Sequence, residues 1–133
     1  MIVCVLDRLA LSNAQTAQHA RPKEFSAILN VAEEIRLELP PEVVFHHLPL
    51  RDFVPIPSQK MREAIRWISQ HIATHRVLVC CNAGVGRSAS VVIGYLCSVG
   101  FGYGEAVEFV ARKKPDISTL PRLIETIEEA LAP

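Results

Sequence analysis

Charge of one sign is the first thing this chain lacks. Its 133 residues carry 14 basic and 14 acidic side chains, for a formal net charge of zero. A strongly basic profile, which non-specific nucleic-acid binding needs for phosphate neutralisation, is therefore excluded. Long hydrophobic runs are missing too. The longest nearly uniform apolar stretch, Val91 to Phe101, is 11 residues and falls short of a bilayer span. The first apolar run ends at Asp7 without a basic start, so no secretory leader and no membrane association are expected. Cysteine is sparse. Positions 4, 80, 81 and 97 match no zinc-ligand spacing, and a chain that is 50% apolar can build a core without disulfide staples. A reducing cytoplasm is the expected compartment. Internal repeats and low-complexity segments are absent, and the length fits one domain over residues 1–133.

What is present is an alternation of short strand-like runs with helical patterns, the mark of an α/β sheet. Strands are expected at Ile2 to Leu6, Leu9 to Ser12, Phe25 to Asn30, Val43 to Leu48 and Val77 to Cys80. Three prolines, at 49, 55 and 57, predict an irregular, stiffened loop after the fourth run. Ser58 reads as a helix N-cap. Met61, Ala64, Ile65, Ile68 and Ile72 then recur at helical spacing to about Thr74. Further helices are expected over Ser88 to Val99, closed by Gly100, and over Glu105 to Lys113, stopped by Pro115. Leu120, Leu123, Ile124, Ile127 and Leu131 form the apolar stripe of a last one.

Residues 77 to 90, VLVCCNAGVGRSAS, carry the chemistry. A strand feeds a tight loop with two glycines, and the loop feeds a helix. Such a loop gathers backbone N–H groups into a concavity, and the helix adds the positive end of its dipole, so an anion is favoured there. Asn82, Ala83, Gly84, Val85 and Gly86 would form the cradle, with the glycines permitting positive φ and close approach. Arg87 can grip two oxygens of one phosphate. Cys81 opens the loop, in surroundings that favour thiolate over thiol, and a bound phosphorus atom is its natural target.

The stretch Cys81 to Ser88 is a complete C-x5-R-S motif, and its surroundings resemble the dual-specificity phosphatases, a branch of the cysteine-dependent protein tyrosine phosphatases. The resemblance extends to the ILN run at 28–30, LPLRD at 48–52 and RKKPDI at 112–117. It implies a single α/β domain with a mostly parallel central sheet, helices on both faces, and the phosphate loop at the carboxyl end of a central strand. It implies hydrolysis of a phosphate monoester through a cysteinyl-phosphate, without metal or cofactor. Asp52 would be the general acid, Ser88 would ease thiolate departure, and Asn30 would brace the phosphate loop. The implied substrate is a protein carrying phosphotyrosine, with phosphoserine and phosphothreonine as possible additions. Lipid, RNA or glucan phosphates are alternatives used by related members. One departure stands out: Cys80 occupies the place where the family usually has histidine.

Other readings compete. A phosphate-reading pseudophosphatase would bind without turnover. A sulfur-transfer or redox protein would use Cys80 with Cys81, although adjacent Cα atoms about 3.8 Å apart lie below the usual disulfide range. An arsenate reductase-like enzyme would need a resolving cysteine, for which Cys80 is the evident candidate. His46 and His47 lie on one strand and point to opposite faces, which argues against a shared metal. Asp116 reads as structural, and Arg51, Arg112, Lys113 and Lys114 as solvated surface charge. The sequence leaves oligomeric state open.

Overall fold

A computed structural model describes residues 1–133. Five strands form one sheet: β1 (Val3–Leu6), β2 (Leu9–Asn13), β3 (Ala27–Ala32), β4 (Val44–Leu50) and β5 (Val77–Cys81). Five helices accompany them: α1 (Ala14–Gln18), α2 (Ser58–His71), α3 (Arg87–Ser98), α4 (Tyr103–Lys113) and α5 (Leu123–Leu131). The strand order is β1-β2-β5-β3-β4. Only the β1–β2 pair is antiparallel; β2, β5, β3 and β4 run parallel.

The period of two along each strand sorts side chains between the faces. Leu9, Leu11, Leu29, Val31, Val77, Val79 and Cys81 face the large core shared with α2 to α5. Ala10, Ile28, Leu78 and Cys80 face the opposite way, onto Ala17 of α1 with Phe25 and Val43. Both faces are covered, as expected, but unequally: one by four helices, the other by five-residue α1 and irregular chain. α3 is buried nearly all round, Ser88 to Leu96 without a break, because it lies between the sheet and the other helices.

Several boundaries differ from expectation for identifiable reasons. β4 runs through Pro49, which lacks a ladder donor but is tolerated at a sheet edge. Ser58 is the first residue of α2 rather than its cap; Pro57 holds the cap position and no side chain caps the helix. β3 begins at Ala27, and Phe25 instead packs in the rear core beneath Arg76, whose guanidinium sits 4.6 Å above its ring. α5 begins after Pro121, so Leu120 is buried but outside the helix.

Parallel strands share a carboxyl edge. β2 ends at Asn13, β5 at Cys81, β3 at Ala32 and β4 at Leu50. Each chain segment leaving that edge brings a polar group with it, which is where open α/β sheets place ligands.

Candidate active site

Cys81 is the last residue of β5, on the α3 side and 2% exposed. Its Sγ lies 3.2 Å from Ser88 Oγ and accepts the Gly84 N–H at 3.2 Å. Ser88 is fully buried in the first turn of α3. Thiol and hydroxyl thus meet across the loop that separates them in sequence.

The loop between them is held by its carbonyls. Ala14 N–H donates to Asn82 O at 3.4 Å, Ser118 N–H to Val85 O at 2.8 Å, and Ser90 N–H to Gly86 O at 2.9 Å. In a planar trans peptide the N–H points opposite to the C=O. Pinning these three carbonyls outward turns the amides of Ala83, Gly86 and Arg87 the other way, into the hollow. Gly84 makes the bend with φ +77°, and a Cβ there would sit 2.8 Å from Asn13 N and from Ser12 C. Only glycine fits both demands. Gly86 corrects the expectation that both glycines take positive φ. Its φ is −110°, and what it supplies is room: a Cβ would touch Asp52 Oδ1 and Ser118 O at 3.4 Å.

Arg87 is 2% exposed. Its terminal nitrogens donate to Glu34 Oε1 and Oε2 at 2.7 Å each, and Nη1 also donates to Leu50 O at 3.0 Å. Nη2 lies 3.6 Å from Asp52 Oδ2. Nε is different: it is buried without a hydrogen-bond partner. A buried guanidinium N–H left open is costly unless a ligand completes it. The fork with Glu34 also sets the acidity of both groups. The Arg87 hydrogen bonds outweigh burial and hold the Glu34 carboxyl down at about 2, with a smaller share from the Asn82 side chain. Glu34 in turn raises the Arg87 pKa.

Asp52 comes from the segment after β4. Its Oδ1 accepts the Phe53 N–H at 2.9 Å, which leaves Oδ2 toward Arg87. Phe53 adopts φ +64°, unusual for a bulky residue, and is 82% exposed. With Asp52, Gly86 and Ser118 to Pro121 it lines a cavity of about 230 Å³. The walls carry no basic side chain.

Sequence-expected residues fall into two groups. Cys81, Asn82 to Arg87, Ser88 and Asp52 converge. Asn30 does not brace the loop: its Nδ2 donates to Ile35 O at 2.8 Å and its Oδ1 accepts Ala32 N–H at 3.0 Å. It shapes the turn that presents Glu34, and so acts on Arg87 at one remove. Cys80 faces the rear core, away from Cys81, and both thiols are free. Burial, then the neighbouring Cys81, pushes the Cys80 thiol up to about 12. His46 Nε2 pairs with Glu63 and His47 Nε2 with Ala32 O, at 2.9 and 2.8 Å. Asp116 pairs with Lys114 at 3.1 Å. Glu34 and the 118–120 segment escaped the sequence reading. The acidic pair Glu33–Glu34 after the ILN run is the one sequence signal for the former.

A sequence model of the dual specificity phosphatase catalytic domain matches residues 9–130. No curated protein matches at a significant level. Among solved structures, Tk-PTP in its active form aligns at TM-score 0.83 and 26% identity, covering 97% of this chain and 95% of that one. DUSP15 aligns at TM-score 0.84 and 24% identity over 96% of this chain and 85% of its own. PTPMT1 in complex with PI(5)P aligns at 0.78 and 20% identity, over 97% and 93%.

Proposed function

The chain belongs to the dual specificity phosphatase catalytic-domain family and is a cysteine-based phosphatase, and from that premise we propose that it hydrolyses phosphotyrosine on proteins. The observation that carries the chemistry is the buried, unpartnered Nε of Arg87, the first residue of the helix that follows the Cys81 loop. A phosphoryl group seated there receives Nε and the inward N–H groups on its oxygens. Charge developing on those oxygens in the transition state meets donors already in position, the largest single term in such sites.

Cys81 Sγ attacks phosphorus. An S–P bond forms as the P–O bond to the leaving group breaks, and Asp52 gives the departing oxygen its proton. Water then attacks the thiophosphate. Asp52 takes a proton from it, the S–P bond breaks, and the Ser88 hydroxyl, 3.2 Å from Sγ, donates to the departing thiolate. No step needs a metal.

Substrate class follows from the cavity beside the loop. About 230 Å³ between Phe53 and the Leu120–Pro121 wall accepts one aromatic ring. Its lining holds a carboxylate, Asp52, and no basic side chain, so it offers nothing to the additional phosphates of a polyphosphoinositide. PTPMT1 bound to PI(5)P makes a phosphoinositide the comparison to run.

The test is hydrolysis of p-nitrophenyl phosphate, a phosphotyrosyl peptide, a phosphoseryl peptide and PI(5)P, in reductant and EDTA. Wild type should turn over the aryl substrates fastest, and Cys81→Ser should fall to background yet still bind vanadate. Near-normal turnover by Cys81→Ser would remove the nucleophile assignment. Vanadate binding without turnover by wild type would make the chain a phosphate-binding module. Preference for PI(5)P would replace the protein substrate with a lipid one.

A further inference from the structure

The cradle leans on a strap that lies outside the motif. Residues 114–121 leave α4 and cross the outer side of the phosphate loop. Two hydrogen bonds fasten the strap: Ser118 N–H to Val85 O at 2.8 Å, and Leu120 N–H to Ser90 Oγ at 3.0 Å. Ser90 is fully buried, on α3 three residues beyond Arg87. The strap also passes close to Gly86: a Cβ there would lie 3.4 Å from Ser118 O and 3.7 Å from Leu120 Cδ2.

We infer that Ser90 is a positioning residue for the phosphatase reaction, acting through the 118–120 strap to hold the Gly86 amide in the oxyanion cradle and the Leu120 wall against the substrate. The inference rests on reading residues 82–87 as that cradle. Val85 O and Gly86 N–H belong to one peptide plane, so whatever pins the carbonyl outward aims the amide inward. Ser118 is the donor that pins it. The strap keeps Ser118 there because Leu120, two residues on, is tied to the Ser90 hydroxyl. Removing that hydroxyl leaves the Leu120 amide buried without an acceptor, which the strap relieves by moving outward. Movement frees the Val85–Gly86 peptide to rotate and shifts one wall of the 230 Å³ cavity. α3 therefore serves the site twice, with Arg87 and Ser88 as direct participants and Ser90 as the anchor of the opposite wall.

The experiment uses the full chain and compares wild type, Ser90→Ala and Ser118→Pro, the last removing the strap's donor at an exposed position. The readouts are the vanadate inhibition constant, kcat and KM for p-nitrophenyl phosphate, and thermal melting. In both variants vanadate affinity and kcat/KM should fall together by on the order of tenfold, less than outright loss of one oxyanion donor because the amide is loosened and not removed, with kcat carrying the larger share. Lowered melting temperature with unchanged vanadate inhibition and kcat would overturn the inference and leave Ser90 a packing residue. Should Ser90→Ala not fold, Ser118→Pro decides on the same readouts. Wild type that neither hydrolyses the substrate nor binds vanadate would overturn the cradle reading itself, a result distinct from active wild type with unaffected variants.

Discussion

Glu34 and Asp52 flank Arg87 and do opposite work at the scale of single residues. Glu34 locks both terminal nitrogens and leaves Nε to the substrate. Glu34→Gln keeps the shape but loses the charged fork, and kcat/KM should fall roughly 10- to 100-fold in steady-state assays, as misplaced catalytic groups do. The same pair carries a pH signature. The Glu34 carboxyl titrates at about 2 in the folded chain against a usual 4.5. A depressed folded-state pKa contributes stability that is fully present above the usual value and is lost as pH falls through the folded one. Melting temperature in wild type should therefore carry an extra decline between about pH 4.5 and 2 that Glu34→Gln lacks. Parallel curves for the two proteins would contradict the pairing. Asp52, with its Oδ1 fixed by the Phe53 amide, has one oxygen left for proton transfer. Asp52→Asn should slow alkyl phosphates on the order of 100-fold or more, and activated aryl phosphates much less, because good leaving groups depart without a proton. Equal losses on both substrates would remove the acid role.

Elements show which parts of the site the sequence could disclose. β5, the loop and α3 are contiguous, so Cys81, Arg87 and Ser88 could be read in one stretch. Gly84 was legible as a glycine in a tight loop, but the reason only glycine fits is the backbone of β2, which passes 2.8 Å from the absent Cβ. Gly84→Ala should cost roughly 1–2 kcal/mol from the positive φ alone, with more from the clash, and should abolish vanadate binding. Equilibrium unfolding and inhibition kinetics measure the two effects. Glu34 was hidden because it reaches the loop through strand order, and Ser118 and Leu120 because the segment after α4 folds back across the loop. That β3 lies beside β5, rather than beside its sequence neighbour β2, is written in no local pattern. α1 was missed because five residues with two buried alanines offer no period to detect. Asn30 has a role implied by the family resemblance, and its amide hydrogen-bonds the neighbouring turn, a partner that no local pattern discloses.

For the molecule as a whole, topology turns scattered residues into one site. Four parallel strands end on one edge, and from that edge come Asn13, Cys81, Glu34 and Asp52. Balanced charge over the surface leaves the local cradle to attract the anion. The unequal covering of the sheet places Cys81 in the large core beneath α3 and Cys80 in the smaller one behind, so the adjacent thiols serve different halves of the protein. The proposed catalytic cycle therefore uses Cys81 and leaves Cys80 out. The most direct measurement is rapid quench of the enzyme during turnover of an aryl phosphate, followed by peptide mapping. One phosphate should appear on the peptide holding Cys81, at the Cys81 sulfur, and be missing in Cys81→Ser. Steady turnover with no phosphate on Cys81, or with phosphate on another residue, would contradict the thiolate mechanism.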